Sequence, residues 1–287
     1  MSLSNLPRLL FVLFTRNAHE TLPHLLSAIS PYLLDSEEWS TELLIIDDAS
    51  SDDTYLIGKT FAAQTTAKIT VLKNPVRLGY GGAQKLAFHF AIENRFDALV
   101  SIHDEPELSA DLIVNLLQPI KQRQAAVVCF LPAPEHRNWL QLGCLVRSTL
   151  CRLMNMLLNL GAGTESLHFQ PCCRAYSVSA LSGIPFDLNS DSIEFSLEVL
   201  LQMVRAGHEV KCLSTGPSVI SESCIRLDVN VGSFLRAMLT AFLYRLQDKG
   251  VFYQPKFDLQ APGCCYQPKF HFPSSHSLAL SCVNPGE

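Results

Sequence analysis

With 287 residues, 48% of them hydrophobic and 17% charged, the chain is too apolar to be disordered and long enough for one large folded domain or two small ones. A net charge of −5 and the lack of a basic run argue against a nucleic-acid partner. Ten cysteines include no Cys-x-x-Cys pair, and the doublets Cys172-Cys173 and Cys264-Cys265 make a poor metal framework, so the thiols read as reduced, inert and cytoplasmic.

The run Leu9 to Phe14 is too short for a signal core or a membrane span and predicts a first buried strand. After Thr15-Arg16-Asn17-Ala18-His19-Glu20, apolar residues Leu22, Leu25, Leu26 and Ile29 predict a helix ending near Pro31. Leu43 to Ile46 predicts a second strand, buried on both faces as in a parallel sheet and ending at Asp47. Asp47 and Asp48 then stand at its C-terminal edge, where open α/β sheets place ligand crevices. Ser50, Ser51, Asp52 and Asp53 offer oxygens to cap a helix from about Thr54 to Ala63. Turn chemistry alone also collects Asp and Ser, so a ligand site and a satisfied turn are both open here.

Ile69 to Leu72 predicts a third strand, followed by the turn Asn74 to Gly82 and a helix from about Ala83 to Asn94. The glycines Gly79, Gly81 and Gly82 either cradle phosphate at that helix start or simply permit the turn. Ala98 to Ile102 is a fourth strand ending on His103-Asp104-Glu105, then come a helix over about 110–122 and a fifth strand, Ala126 to Phe130. Strands alternating with helices at this spacing predict a single α/β domain with a mainly parallel sheet. Acidic and polar residues follow strands one, two and four, so several loops converge on one sheet edge. Beyond that, helices are predicted over 138–160, Phe195 to Ala206 and Phe234 to Leu246, with short strands at Arg174 to Val178 and Glu209 to Leu213. The helix from Phe234 either packs on the core or lies in a membrane interface as a peripheral contact. The domain is expected to span 1–247. The remainder, 248–287, reads as an irregular, loosely ordered tail dispensable for folding, with a duplication, Tyr253-Gln254-Pro255-Lys256-Phe257 against Tyr266-Gln267-Pro268-Lys269-Phe270.

Three tracts occur in a recognisable order. Asp47-Asp48-Ala49-Ser50-Ser51-Asp52-Asp53-Thr54 is similar to D-D-G-S-x-D-x-T, Asn74 to Ala83 to N-P-x-N-L-G-Y-G-G-A, and Phe96 to Val100 to F-D-A-V-V. Arg174 to Val178, Ile184-Pro185-Phe186, Asn189-Ser190-Asp191 and Phe195-x-x-Glu198 continue the pattern. Together they resemble the family-2 glycosyltransferases of the GT-A fold, especially bacterial proteins like dolichol-phosphate mannose synthase, over residues 9 to about 247.

The resemblance implies transfer of a sugar from a nucleotide sugar to an acceptor such as polyprenyl phosphate or another glycan, in the cytoplasm or at the inner membrane face. It implies nucleotide binding by Asn17, Asp47, Asp48, Gly79, Gly81, Gly82 and Asp104. A divalent metal, Mg²⁺ or Mn²⁺, would be held by Glu105 with His103 nearby, because carboxylate oxygens suit a hard cation that neutralises a leaving diphosphate. His103 also reads as a satisfied loop histidine. Glu198 is the implied catalytic base, with a solvated helix face as the competing role. Departures fall on the metal and acceptor sides: Glu105 beside Pro106 at the metal position, Ala18 where an acid stands, Phe130-Leu131-Pro132 for G-S-R and Cys172-Cys173-Arg174 for G-Y-R. They raise the alternative of an impaired member acting as a nucleotide-binding or scaffolding module. A Rossmann dinucleotide enzyme is disfavoured because the glycines follow strand three, not strand one.

Overall fold

The fold is a computed structural model that describes residues 6–34, 36–103, 110–131, 153, 155–164, 173–214, 231–251 and 253–259. Seven strands form one sheet: β1 (Arg8–Thr15), β2 (Ser40–Asp47), β3 (Ile69–Lys73), β4 (Ala98–His103), β5 (Val127–Leu131), β6 (Arg174–Ser177) and β7 (Val210–Ser214). The helices are α1 (Leu22–Leu34), α2 (Thr54–Gln64), α3 (Gly79–Glu93), α4 (Ala110–Lys121), α5 (155–162), α6 (Val178–Leu181), α7 (Phe195–Arg205) and α8 (Val231–Asp248).

The sheet order is β3-β2-β1-β4-β6-β5-β7. All neighbours run parallel except β6, which is antiparallel to both β4 and β5. The predicted α/β class and mainly parallel sheet are thus observed. β2 is internal and ends at Asp47, in register with Thr15 of β1 and Lys73 of β3.

Period-two alternation divides the strands between two cores. Leu10, Val12, Leu44 and Ile46 face a core shared with α3, α5, α7 and α8. Leu9, Phe11, Leu13, Leu43 and Ile45 face the other, closed by α1, α2 and α4. Burial on both faces is why the central strands read as unbroken aliphatic runs.

Several boundaries differ from expectation. Helix α1 continues through Pro31 to Leu34 because Leu33 is buried in the core, where packing outweighs one lost backbone hydrogen bond. Helix α3 begins at Gly79, so the glycines belong to its first turn. A short 3-10 turn at Pro255–Phe257 buries Phe257 completely, 5.2 Å from Tyr244 and edge-on to it. Most of 138–160 and the chain beyond Leu259 lie outside the described residues. Among the described residues no helix is long and apolar enough to cross a membrane.

Candidate functional site

The C-terminal ends of β1 and β2 lie side by side, and hydrogen bonds tie their loops together. The Asn17 N–H donates to the Ser50 hydroxyl at 2.9 Å, and the Asn17 side-chain carbonyl accepts from the Ser51 N–H at 3.0 Å. The Ala18 N–H donates to the Thr54 hydroxyl at 2.8 Å. Asp52 accepts from the Thr54 N–H at 3.1 Å and lies 2.9 Å from the His19 ring. The Thr54 hydroxyl first, with its N–H and His19, holds the Asp52 carboxyl well below the usual carboxylate range against the opposing effect of desolvation. Asp52 therefore ties the first residue of α2 to His19 of the β1 loop, and the N-cap residue, Asp53, makes no side-chain capping bond. Two residues adopt left-handed backbone here, Asn17 at φ 49° and Ala49 at φ 58°. Asn tolerates that region, and Ala49 sits where the resembling motif has glycine.

Asp47 and Asp48 differ in their remaining valence. Asp48 is nearly consumed by the fold: Oδ1 accepts from Asn74 Nδ2 at 2.9 Å and the Leu78 N–H at 2.7 Å, and Oδ2 from the Gly79 N–H at 3.0 Å. These bonds fix the start of α3 against β2. Asp47 is fully buried, and its Oδ1 accepts from the Ser50 N–H at 3.0 Å and from the Ser50 hydroxyl. Its Oδ2 is buried with no hydrogen-bond partner among the described residues, and the Lys73 ammonium stands 4.0 Å away. A buried carboxylate oxygen without a donor is costly, and an N–H or O–H from a ligand would satisfy it.

The glycines serve a close approach instead of an open phosphate cradle. A Cβ on Gly81 would lie 2.3 Å from the Ser190 carbonyl oxygen, and one on Gly79 would lie 2.8 Å from that of Asp191. The Gly81 N–H donates to the Asp191 carbonyl at 2.8 Å, so the N–H groups of Gly79 and Gly81 are already engaged. Lys85 closes the contact, its ammonium 2.7 Å from the Asp191 carboxylate.

Glu198 on α7 holds that same loop from behind. It is 2% exposed, which excludes a solvated face. Oε2 accepts from the Ser190 N–H and Oε1 from the Lys256 ammonium, each at 2.7 Å. Asn189 and Gln202 exchange amide hydrogen bonds of 2.9 and 2.8 Å. Sequence reasoning missed this network, which joins residues up to 106 positions apart; the Asn189-Ser190-Asp191 tract was its only signal. Arg174 is buried within the fold and donates to the Ser196 hydroxyl.

His103 ends β4 in register with Phe14, and Asp104 and Glu105 lie outside the described residues. Among the described residues no group of three or more His, Cys, Asp or Glu could hold a metal ion. The β4 end is next to the β1 end, so β4 finishes at the same sheet edge as Asp47.

The profile described as Glycosyl transferase family 2 matches residues 11–184. No curated protein sequence matches the chain. Among solved structures, the fold is similar to glucosyl-3-phosphoglycerate synthase from Mycobacterium tuberculosis. Its complex with Mg²⁺ and UDP gives a TM-score of 0.56 at 18% identity, covering 87% of this chain and 81% of that one. Its complex with Mn²⁺, UDP-glucose and phosphoglyceric acid gives 0.54 at 20% identity, covering 84% and 80%. These structures carry the GT-A architecture, and the narrower likeness to dolichol-phosphate mannose synthase finds no support among them.

Proposed function

Because the chain belongs to glycosyl transferase family 2, we propose that it moves a sugar from a nucleoside-diphosphate sugar to an acceptor at the β1–β2–β4 edge of its sheet. The observation that carries the reading is Asp47 Oδ2, a buried acceptor without a donor at the C-terminal end of an internal strand. That is where open α/β folds seat ligands, and the base or ribose of a nucleotide supplies the N–H or O–H it lacks. Asn17 and Ala49 line the same edge. Asp48, Gly79, Gly81 and Gly82 act on the nucleotide indirectly, by holding the α3 turn.

The reaction breaks the bond between the anomeric carbon and the diphosphate oxygen and forms one to an acceptor oxygen. The carboxylates of Asp104 and Glu105, beside His103, offer the hard oxygen donors that fit Mg²⁺ or Mn²⁺. Such an ion would neutralise charge on the departing nucleoside diphosphate. Glu198 is a positioning residue in this scheme, because both of its oxygens are engaged. For the acceptor we favour a phosphate-bearing compound. That chemistry is common to the polyprenyl phosphate implied by sequence and to the phosphoglyceric acid and glycerol 3-phosphate complexes of the mycobacterial enzyme.

Thermal shift with UDP-, GDP- and dTDP-sugars, with and without Mn²⁺, tests binding, since a ligand of the native state raises its melting temperature. Release of nucleoside diphosphate in the presence of polyprenyl phosphate or glycerol 3-phosphate tests transfer and separates the two acceptor arms. Binding without turnover would favour the alternative of a binding or scaffolding module. Failure of every nucleotide to bind would overturn the reading.

A further inference from the structure

The segment Tyr253 to Phe257 fills a slot between α7 and α8. The slot reads it residue by residue. Gln247 Oε1 accepts from the Gln254 N–H at 2.8 Å. Pro255 starts the 3-10 turn, and Gln202 Nε2 donates to the Lys256 carbonyl at 2.7 Å. Lys256 donates to Glu198, and the Phe257 ring is buried against Tyr244. Its walls, Glu198, Gln202, Tyr244 and Gln247, are all buried. If the slot were emptied, a carboxylate and two amides would lose partners, so the fold needs an occupant there.

The same five residues recur at Tyr266 to Phe270, 13 positions later. Two positions past each phenylalanine stands an apolar residue, Leu259 in the first copy and Phe272 in the second, and Leu259 packs on the core. Between them Asp258, which accepts from the Tyr253 hydroxyl at 3.0 Å on the exposed side, is replaced by His271. The second copy therefore carries the same five side chains that the slot engages in the first.

We infer that the α7–α8 slot is a peptide-recognition site with two interchangeable occupants in one chain, Tyr253–Phe257 and Tyr266–Phe270. The exchange shifts the tail by 13 residues. It lengthens the link after Asp248 from 4 residues to 17, counted along the sequence. By loop-closure entropy that disfavours the second register about tenfold, so the first predominates and the second stands in reserve. The inference is independent of the proposed sugar transfer.

A double-mutant cycle on the full chain tests it by urea titration. Phe270→Ala alone is expected to change the folding equilibrium by less than about twofold, because the first register is intact. Phe257→Ala is expected to lower it about tenfold, the cost of moving to the second copy. The double variant is expected to lower it by roughly a hundredfold or more, the ordinary penalty of truncating a buried Phe. A Phe257→Ala variant as unstable as the double variant, or one that cannot be refolded, would overturn the inference. The milder pair Lys256→Ala and Lys269→Ala makes a second, independent cycle on the same slot, and additivity in that cycle would overturn the inference too. Size-exclusion of Phe257→Ala is expected to show the same elution as the wild type, and a new concentration-dependent association absent from the wild type would overturn exchange within one chain.

Discussion

Two buried carboxylates, Asp47 and Glu198, face opposite fates in this fold. Glu198 spends one oxygen on the Ser190 N–H and the other on Lys256. Asp47 spends one on Ser50 and keeps the other without a donor, behind the half-exposed Lys73. Burial alone does not distinguish them, since both are essentially inaccessible. The difference lies in what remains unmatched: a satisfied acid is architecture, and an unsatisfied one implies something yet to arrive.

The largest effect should come from Glu198→Ala. It leaves the Lys256 ammonium and the Ser190 N–H without an acceptor and empties one side of the slot. The loss is expected to reach about 3–5 kcal/mol, roughly 10 °C in melting temperature by calorimetry. A stable Glu198→Ala protein that has lost only turnover would reverse the contrast and make this residue the base after all.

Asp47→Asn comes next and should act on binding. Oδ1 can still accept from Ser50, so melting should fall by no more than about 4 °C, while nucleotide affinity drops about tenfold. Titration calorimetry that finds affinity unchanged would remove Asp47 from the site. Ala49→Gly, in the turn between β2 and α2, relieves a left-handed alanine and should stabilise the protein by about 1 kcal/mol. A chemical-denaturation midpoint that moves down instead would show that the Ala49 methyl packs usefully.

The smallest effect concerns Asp52. Its carboxyl is held below the ordinary value near 4, so its contribution is complete above that pH and is lost as pH falls below it. The wild type should therefore lose stability relative to Asp52→Asn as pH is lowered through about 4, with only a small gap at neutral pH for a partly solvated group. Parallel slopes in the two proteins would detach Asp52 from the acid limb.

What could be read along the chain was what depends on neighbours in sequence. Strand β2 announced itself through four aliphatics and an acid because burial on both faces leaves no other composition. That the ends of β1, β2 and β4 meet at one sheet edge followed from strand direction alone. The glycines were read as a turn or a phosphate cradle, yet their reason is the backbone of Ser190 and Asp191, more than 100 residues on. Lys256 looked like part of an irregular tail because nothing near it in sequence points to Glu198, 58 residues back. Pro31 ended a helix on paper and not in space because Leu33 is held by the core. Contacts of that range leave only faint local traces, such as a repeated pentapeptide.

The place of β6 has a consequence for the order of synthesis. Among the described residues strand β5 pairs with β6 and β7, both of which follow it in the chain. While β1 to β4 can assemble as each emerges, β5 must wait 42 residues, from 132 through 173, for its first partner. At ordinary ribosomal speeds that is about 2–8 s. During that interval Val-Val-Cys-Phe-Leu has both backbone edges open. The nascent chain is therefore most exposed to misassociation between its fifth and sixth strands, and a holding chaperone would find its natural foothold there.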